Sequence, residues 1–115
     1  MRKIIYYGDH FYDFFVTLDP EVQDKFRWTL DLIESIFRVP LQYLKHIEGT
    51  KGLYEIRVEY GSNIYRVFCF FDSGNLVVLI NGFQKKKQKT PQKEITRAEK
   101  LMNQYFHEKA KRKTR

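Results

Sequence analysis

The chain has 115 residues, 43% hydrophobic and 17% aromatic, with a formal net charge of +7. That describes one domain with enough apolar material for a core, and it excludes a disordered polyelectrolyte. The single cysteine, Cys69, excludes an intramolecular disulfide, and no run is apolar and long enough for a signal-peptide core or a membrane span. A cytoplasmic setting without membrane contact is expected.

Charge is distributed unevenly. Residues 1–83 hold 9 Lys/Arg against 11 Asp/Glu, whereas residues 84–115 hold 12 against 3. A basic third on a near-neutral body points to a polyanion partner held by salt-dependent phosphate contacts. The functional part of that charge is expected at Lys85–Lys89. Residues 1–108 are expected to form the domain and 109–115 a solvated basic tail.

In chain order, Lys3–Tyr7 is a short strand candidate. Asp9 precedes a helix over 10–18, with Phe11, Phe14, Phe15 and Leu18 at spacings of three and four. Asp19-Pro20 restarts a helix by cap and first-turn proline, and Val22, Phe26, Leu30, Ile33 and Phe37 continue its stripe to about Arg38. Residues 41–52 read as a polar connection. Leu53–Tyr60, Ile64–Phe71 and Asn75–Phe83 are strands separated by turn sequences. Thr90-Pro91 then opens a last helix carrying Ile95, Ala98, Met102 and Tyr105/Phe106 on one side.

The three central strands each carry a polar residue in an apolar run: Arg57, Arg66 and Asn81. A turn at Ser62-Asn63 sets Glu59 against Arg66 and Arg57 against Phe68. A turn at Ser73-Gly74 sets Val67 against Ile80 and Arg66 against Asn81. Alternation then gives one apolar face with Ile56, Val58, Tyr65, Val67, Cys69, Val78 and Ile80, covered by the helical hairpin. The opposite face carries Glu55, Arg57, Glu59, Arg66 and Asn81 among Phe68, Phe70, Leu79 and Phe83, with Lys85 and Lys87 joining if the strand continues.

Most enzyme templates are missing. There is no Gly-rich phosphate loop, no HExxH and no CxxC, and His10, His46 and His107 lack metal-ligand spacing, so no metal or other cofactor is expected. Cys69 reads as a small core residue. The arginine and lysine set suits phosphoryl chemistry on RNA: a guanidinium can fork onto a non-bridging oxygen, and crowded lysines have lowered pKa values. Neighbouring aromatics can stack unpaired bases.

Gly52-Leu53-Tyr54-Glu55-Ile56-Arg57, Ile64-Tyr65-Arg66-Val67-Phe68, Leu79-Ile80-Asn81-Gly82-Phe83 and Lys86–Pro91 together resemble the RelE/ParE toxin superfamily, in particular its HigB-like, phage-derived branch. The resemblance implies a small α+β domain, an antiparallel sheet packed on an N-terminal helical hairpin with a C-terminal helix. It implies the toxin of a type II toxin–antitoxin pair, an mRNA interferase that cuts in the ribosome without metal through attack by the RNA 2′-hydroxyl. The implied partners are the ribosome, its mRNA and an antitoxin of helix-turn-helix type. Carried over, Arg66, Lys86 and Lys89 are the catalytic candidates, and Arg57, Asn81, Lys85 and Lys87 would hold RNA. Asn81 stands where many relatives are expected to carry histidine. RelE itself also uses a C-terminal tyrosine, a role not transferred to Tyr105. Two other readings stay open: a ParE-like gyrase poison, and a non-catalytic RNA- or DNA-binding module.

Overall fold

The computed structural model describes residues 1–113. The elements run β1 (Lys3–Tyr6), α1 (His10–Phe15), α2 (Pro20–Ser35), β2 (Leu44–His46), β3 (Leu53–Tyr60), β4 (Asn63–Asp72), β5 (Leu76–Lys85) and α3 (Gln92–Lys113), in the α+β class expected. One five-stranded sheet has the order β1-β5-β4-β3-β2. The two hairpins make β3–β5 antiparallel, while β1 joins β5 in parallel, so the sheet is mixed. The three-residue β2 arises within the segment read as a connection, pairing Leu44 with Ile56 and His46 with Tyr54.

Two layers of helix enclose this sheet. Phe11 of α1 and Val22, Phe26, Leu30 and Ile33 of α2 pack on Ile56, Val58, Tyr65, Val67 and Cys69, as the stripe predicted. On the other face Ala98 and Met102 of α3 pack on Leu53, Phe68, Phe70, Val78, Ile80 and Phe83. β5 is therefore apolar on both faces, and Val77 through Ile80 are all fully buried. Such a strand reads as a continuous run without alternation.

That run conceals a bulge. Cys69 pairs with Leu79 but Val67 pairs with Gly82, leaving Ile80 and Asn81 together opposite Phe68. The expected sorting is reversed from the turn onward, because Asp72 pairs with Leu76 and not with Asn75, and the bulge then restores it, setting Phe83 against Arg66. Val78 and Ile80 lie on the α3 face and not under the hairpin, whereas Leu79 lies under the hairpin and not among the polar residues. The β3–β4 register also differs from expectation by two residues. Tyr60 pairs with Asn63 around Gly61-Ser62, which sets Arg57 against Arg66 and Glu55 against Phe68. Gly61 takes the left-handed φ of 61° that this tight reversal needs. A two-residue slip preserves faces, so Glu55, Arg57 and Arg66 still share one side.

Helix ends differ from expectation as well. α2 stops at Ser35, and Phe37, expected in its stripe, is 87% exposed. Arg2 binds this end: its guanidinium donates to the carbonyls of Ile33, Ile36 and Phe37 at 3.2, 2.6 and 2.8 Å. α3 runs to Lys113, through most of the segment expected as a tail; residues 114 and 115 lie outside the described part. No helix among the described residues is long and apolar enough to cross a membrane.

Gly82 has a packing role. A Cβ there would lie 2.5 Å from Phe14 Cδ2, and Phe14 is itself set edge-on against Phe26 at 5.9 Å. Gly82→Ala should destabilise the fold by about 1–3 kcal/mol, the usual range for an overpacked core. Urea unfolding checks this, and an unchanged midpoint would show that Phe14 moves freely.

Candidate functional site

The site grows from the two central hairpin strands. Because Arg57 and Arg66 are directly paired residues on one face, two cations meet where like charges oppose each other across a ladder. Glu55 stands between them: its Oε1 is 3.4 Å from Arg57 Nε and 3.7 Å from Arg66 Nε. Its Oε2 accepts from the Thr90 hydroxyl at 3.4 Å, which links the arginines to the segment that opens α3.

Arg66 is the unusual member. It is 2% exposed, its Nη1 donates to the Tyr65 carbonyl at 3.1 Å, and its Nε has no hydrogen-bond acceptor. Burial and then the Arg57 charge lower its pKa, against the opposing pull of Glu55 and Glu59. An arginine remains charged even so, which leaves a buried cation only partly compensated. Arg57 is more open, with its side chain 26% exposed, and its Nη1 reaches the Leu41 carbonyl at 3.4 Å.

Lys85 is the lysine closest in character to this pair. It closes β5 opposite Ile64, and burial, followed by Arg66, lowers its pKa; Arg57 and Lys45 act the same way and Glu55 opposes them. Beyond it Lys86 and Lys87, with Ser62, Asn63, Ile64 and Gln84, line an open groove of about 700 Å³ between the β3–β4 turn and the strand exit. Lys86, Lys87 and Lys89 also border a second open groove against Pro91 and Phe83. The structure thus gathers Arg57, Arg66 and Lys85 on one side of the sheet and puts Lys86, Lys87 and Lys89 in the adjoining exit. Asn81 is placed differently. It sits in the bulge, 2% exposed, with both side-chain polar atoms lacking partners. Glu55 was not among the candidate site residues; its position two residues before Arg57, on the same strand face, was the available signal.

Among the described residues no group of three or more His, Cys, Asp or Glu side chains is gathered to hold a metal. Cys69 is fully buried in the hairpin-side core, where desolvation raises its thiol pKa far above the ordinary range and suppresses the thiolate.

The family model for phage-derived protein Gp49-like (DUF891) matches residues 13–103, a span holding both arginines and the whole lysine exit. The chain belongs to the Gp49-like family. That family is part of the RelE/ParE-like toxin superfamily, and membership is consistent with a toxin–antitoxin toxin whose partner is an antitoxin. Among curated proteins no match to the sequence is found.

Tyr105 of this Gp49-like chain has a structural position. Its hydroxyl donates to Asp72 Oδ2 at 2.7 Å, its ring meets Tyr7 and Phe70 edge-on, and Lys109 Nζ binds Asp72 Oδ1 at 2.7 Å. Asp72 ends β4 six residues from Arg66, about 20 Å at roughly 3.3 Å per strand residue. Tyr105 therefore fastens α3 to the sheet at the end remote from the arginines. Burial alone would raise the Asp72 pKa, but hydrogen bonds from Lys109, Tyr105 and the Ser73 N–H outweigh it and lower the carboxyl to about 2 from its ordinary 3.8. Because the folded pKa is depressed, the stabilisation is complete above pH 3.8 and is lost as pH falls towards 2. Asp72→Asn should cost about 1.5–3 kcal/mol at pH 7, the range for charge-assisted bonds. Urea unfolding across pH should show that gap closing in acid; a gap constant from pH 7 to pH 2 would contradict the assignment.

Proposed function

We propose that this chain is the toxin of a type II toxin–antitoxin pair, of the HigB-like branch, acting as a ribosome-dependent mRNA endonuclease without a metal cofactor. The observation that carries the reading is Arg66: a guanidinium buried beside a second arginine, with one carboxylate shared between them and an Nε lacking an acceptor. Surplus positive charge in a poorly solvated place is the electrostatics an RNA phosphate would complete.

In this mechanism Arg66 and Arg57 take the non-bridging oxygens of the scissile phosphate. The adjacent 2′-oxygen attacks phosphorus while its proton leaves to water, and the bond to the 5′-oxygen breaks. Arg66 stabilises the charge that builds on phosphorus, which a donor in a low-dielectric site does best. Lys85, with its lowered pKa, is suited to give a proton to the leaving 5′-oxygen. Lys86, Lys87 and Lys89 hold the neighbouring backbone from the open exit, and of these Lys86 and Lys89 add charge near the reacting phosphate. Because Arg66 is 2% exposed, this reading requires the side chains over it to move aside for RNA. Asn81, buried in the bulge, contributes an RNA contact only after the same movement.

Single-turnover cleavage of ribosome-bound mRNA tests this reading. Arg66→Ala should slow cutting by about 100- to 1,000-fold, dialysis of the chain against EDTA before it meets the ribosomes should leave the parent rate unchanged, and Cys69→Ser should cut normally. Cutting at the parent rate by folded Arg66→Ala, or abolition by prior dialysis of the chain against EDTA, would refute the mechanism. Intact mRNA with broken DNA in growth-arrested cells would favour the gyrase poison, and no arrest would favour a binding module.

A further inference from the structure

A second aromatic and basic cluster lies on the other side of Arg57. Trp28, the chain's only tryptophan, stands on the outer face of α2 and is 48% exposed, although α2 has Val22, Phe26, Leu30 and Ile33 to fill its core face. Lys25 Nζ lies 4.7 Å from its ring centroid, and the Tyr43 ring meets it edge-on at 5.4 Å. Tyr43, Lys25, Gln42, Arg57 and Glu59 line a groove of about 270 Å³.

Arg57 connects this groove to the phosphate site. Its backbone N–H donates to the Tyr43 carbonyl at 2.8 Å and its Nη1 to Leu41, which holds it against the segment just before β2. Its Nε faces Glu55, which it shares with Arg66. One guanidinium therefore borders both places, at the sheet edge just before β2 begins.

We infer that this groove is a subsite for one unpaired nucleobase of a single-stranded RNA, stacked on Tyr43 next to Trp28, with its phosphate between Lys25 and Arg57. The inference rests on the RNA-cleaving reading above and extends it by one nucleotide. Aromatic rings beside cations are what single-stranded nucleic acid needs, since every base offers a π-face and every linkage a charge. Two cations outweigh the one carboxylate, Glu59, which faces the groove with them. That carboxylate can accept a hydrogen bond from a base amino group.

The lone tryptophan makes the test direct. A 2′-O-methyl hexaribonucleotide, which cannot be cut by 2′-hydroxyl attack, is titrated into the full chain while Trp28 emission and the anisotropy of a dye on the oligonucleotide are followed. A saturable quench that tracks the anisotropy is expected. Tyr43→Ala should weaken binding roughly 5- to 150-fold, the alanine-scan range for one stacked base, and Lys25→Ala should lower the salt slope by about one. Binding without a quench, an equal quench by inorganic tripolyphosphate, or no binding at millimolar oligonucleotide would each overturn the subsite. So would a quench produced by an antitoxin and not by RNA, which would assign the groove to the protein partner. Full mRNA cutting with intact affinity in Tyr43→Ala would remove the subsite and leave the nuclease standing. A quench without any cutting would do the reverse.

Discussion

The structure depends on how the Arg66 charge is kept inside a sheet covered on both faces. A guanidinium at 2% exposure has lost most of its water, and its directly paired neighbour is a second arginine. Glu55 compensates one of the two charges and is itself held by Thr90. Breaking a buried ion pair typically costs several kcal/mol, while an apolar replacement of the whole set is often neutral or stabilising. The arginines are therefore poorly explained as devices for stability, and this is what supports the proposed phosphate site.

That arrangement ties the site to α3. Thr90 lies between the lysine exit and the helix, so the contact with Glu55 connects the arginine pair, Lys85–Lys89 and the start of α3. At the far end the Asp72–Tyr105–Lys109 set and the Tyr7–Glu108 hydrogen bond of 2.6 Å fasten the same helix. Tyr105 is thereby committed to packing.

Much of this was legible in the residues. The Asp-Pro and Thr-Pro starts, the stripes of α2 and α3 and the shared face of Glu55, Arg57 and Arg66 all follow from spacing. Their legibility has a physical basis: helices with one wet face and strands with one polar residue per run carry a period. β5 does not. With Val77 through Ile80 buried on both sides, nothing in the run distinguishes one register from the next, and the bulge opposite Phe68 leaves no mark except Asn81 and Gly82. β2 escaped because a three-residue edge strand is too short to show alternation. Parallel β1 escaped because direction depends on a partner more than seventy residues away. The candidate cations were legible as residue types, but the distinction between Lys85, desolvated beside Arg66, and the open lysines after it depends on packing.

The chemistry of the RNA ends is the most direct measure of the account. Attack by the 2′-oxygen without metal leaves a 2′,3′-cyclic phosphate on the upstream fragment and a 5′-hydroxyl on the downstream one. Mapping both ends on mRNA cut by the purified chain on ribosomes should find that pair, and Arg66→Ala should remove it. Fragments ending in 3′-hydroxyl and 5′-phosphate would contradict the mechanism, because a water or hydroxide nucleophile would then have replaced the 2′-oxygen.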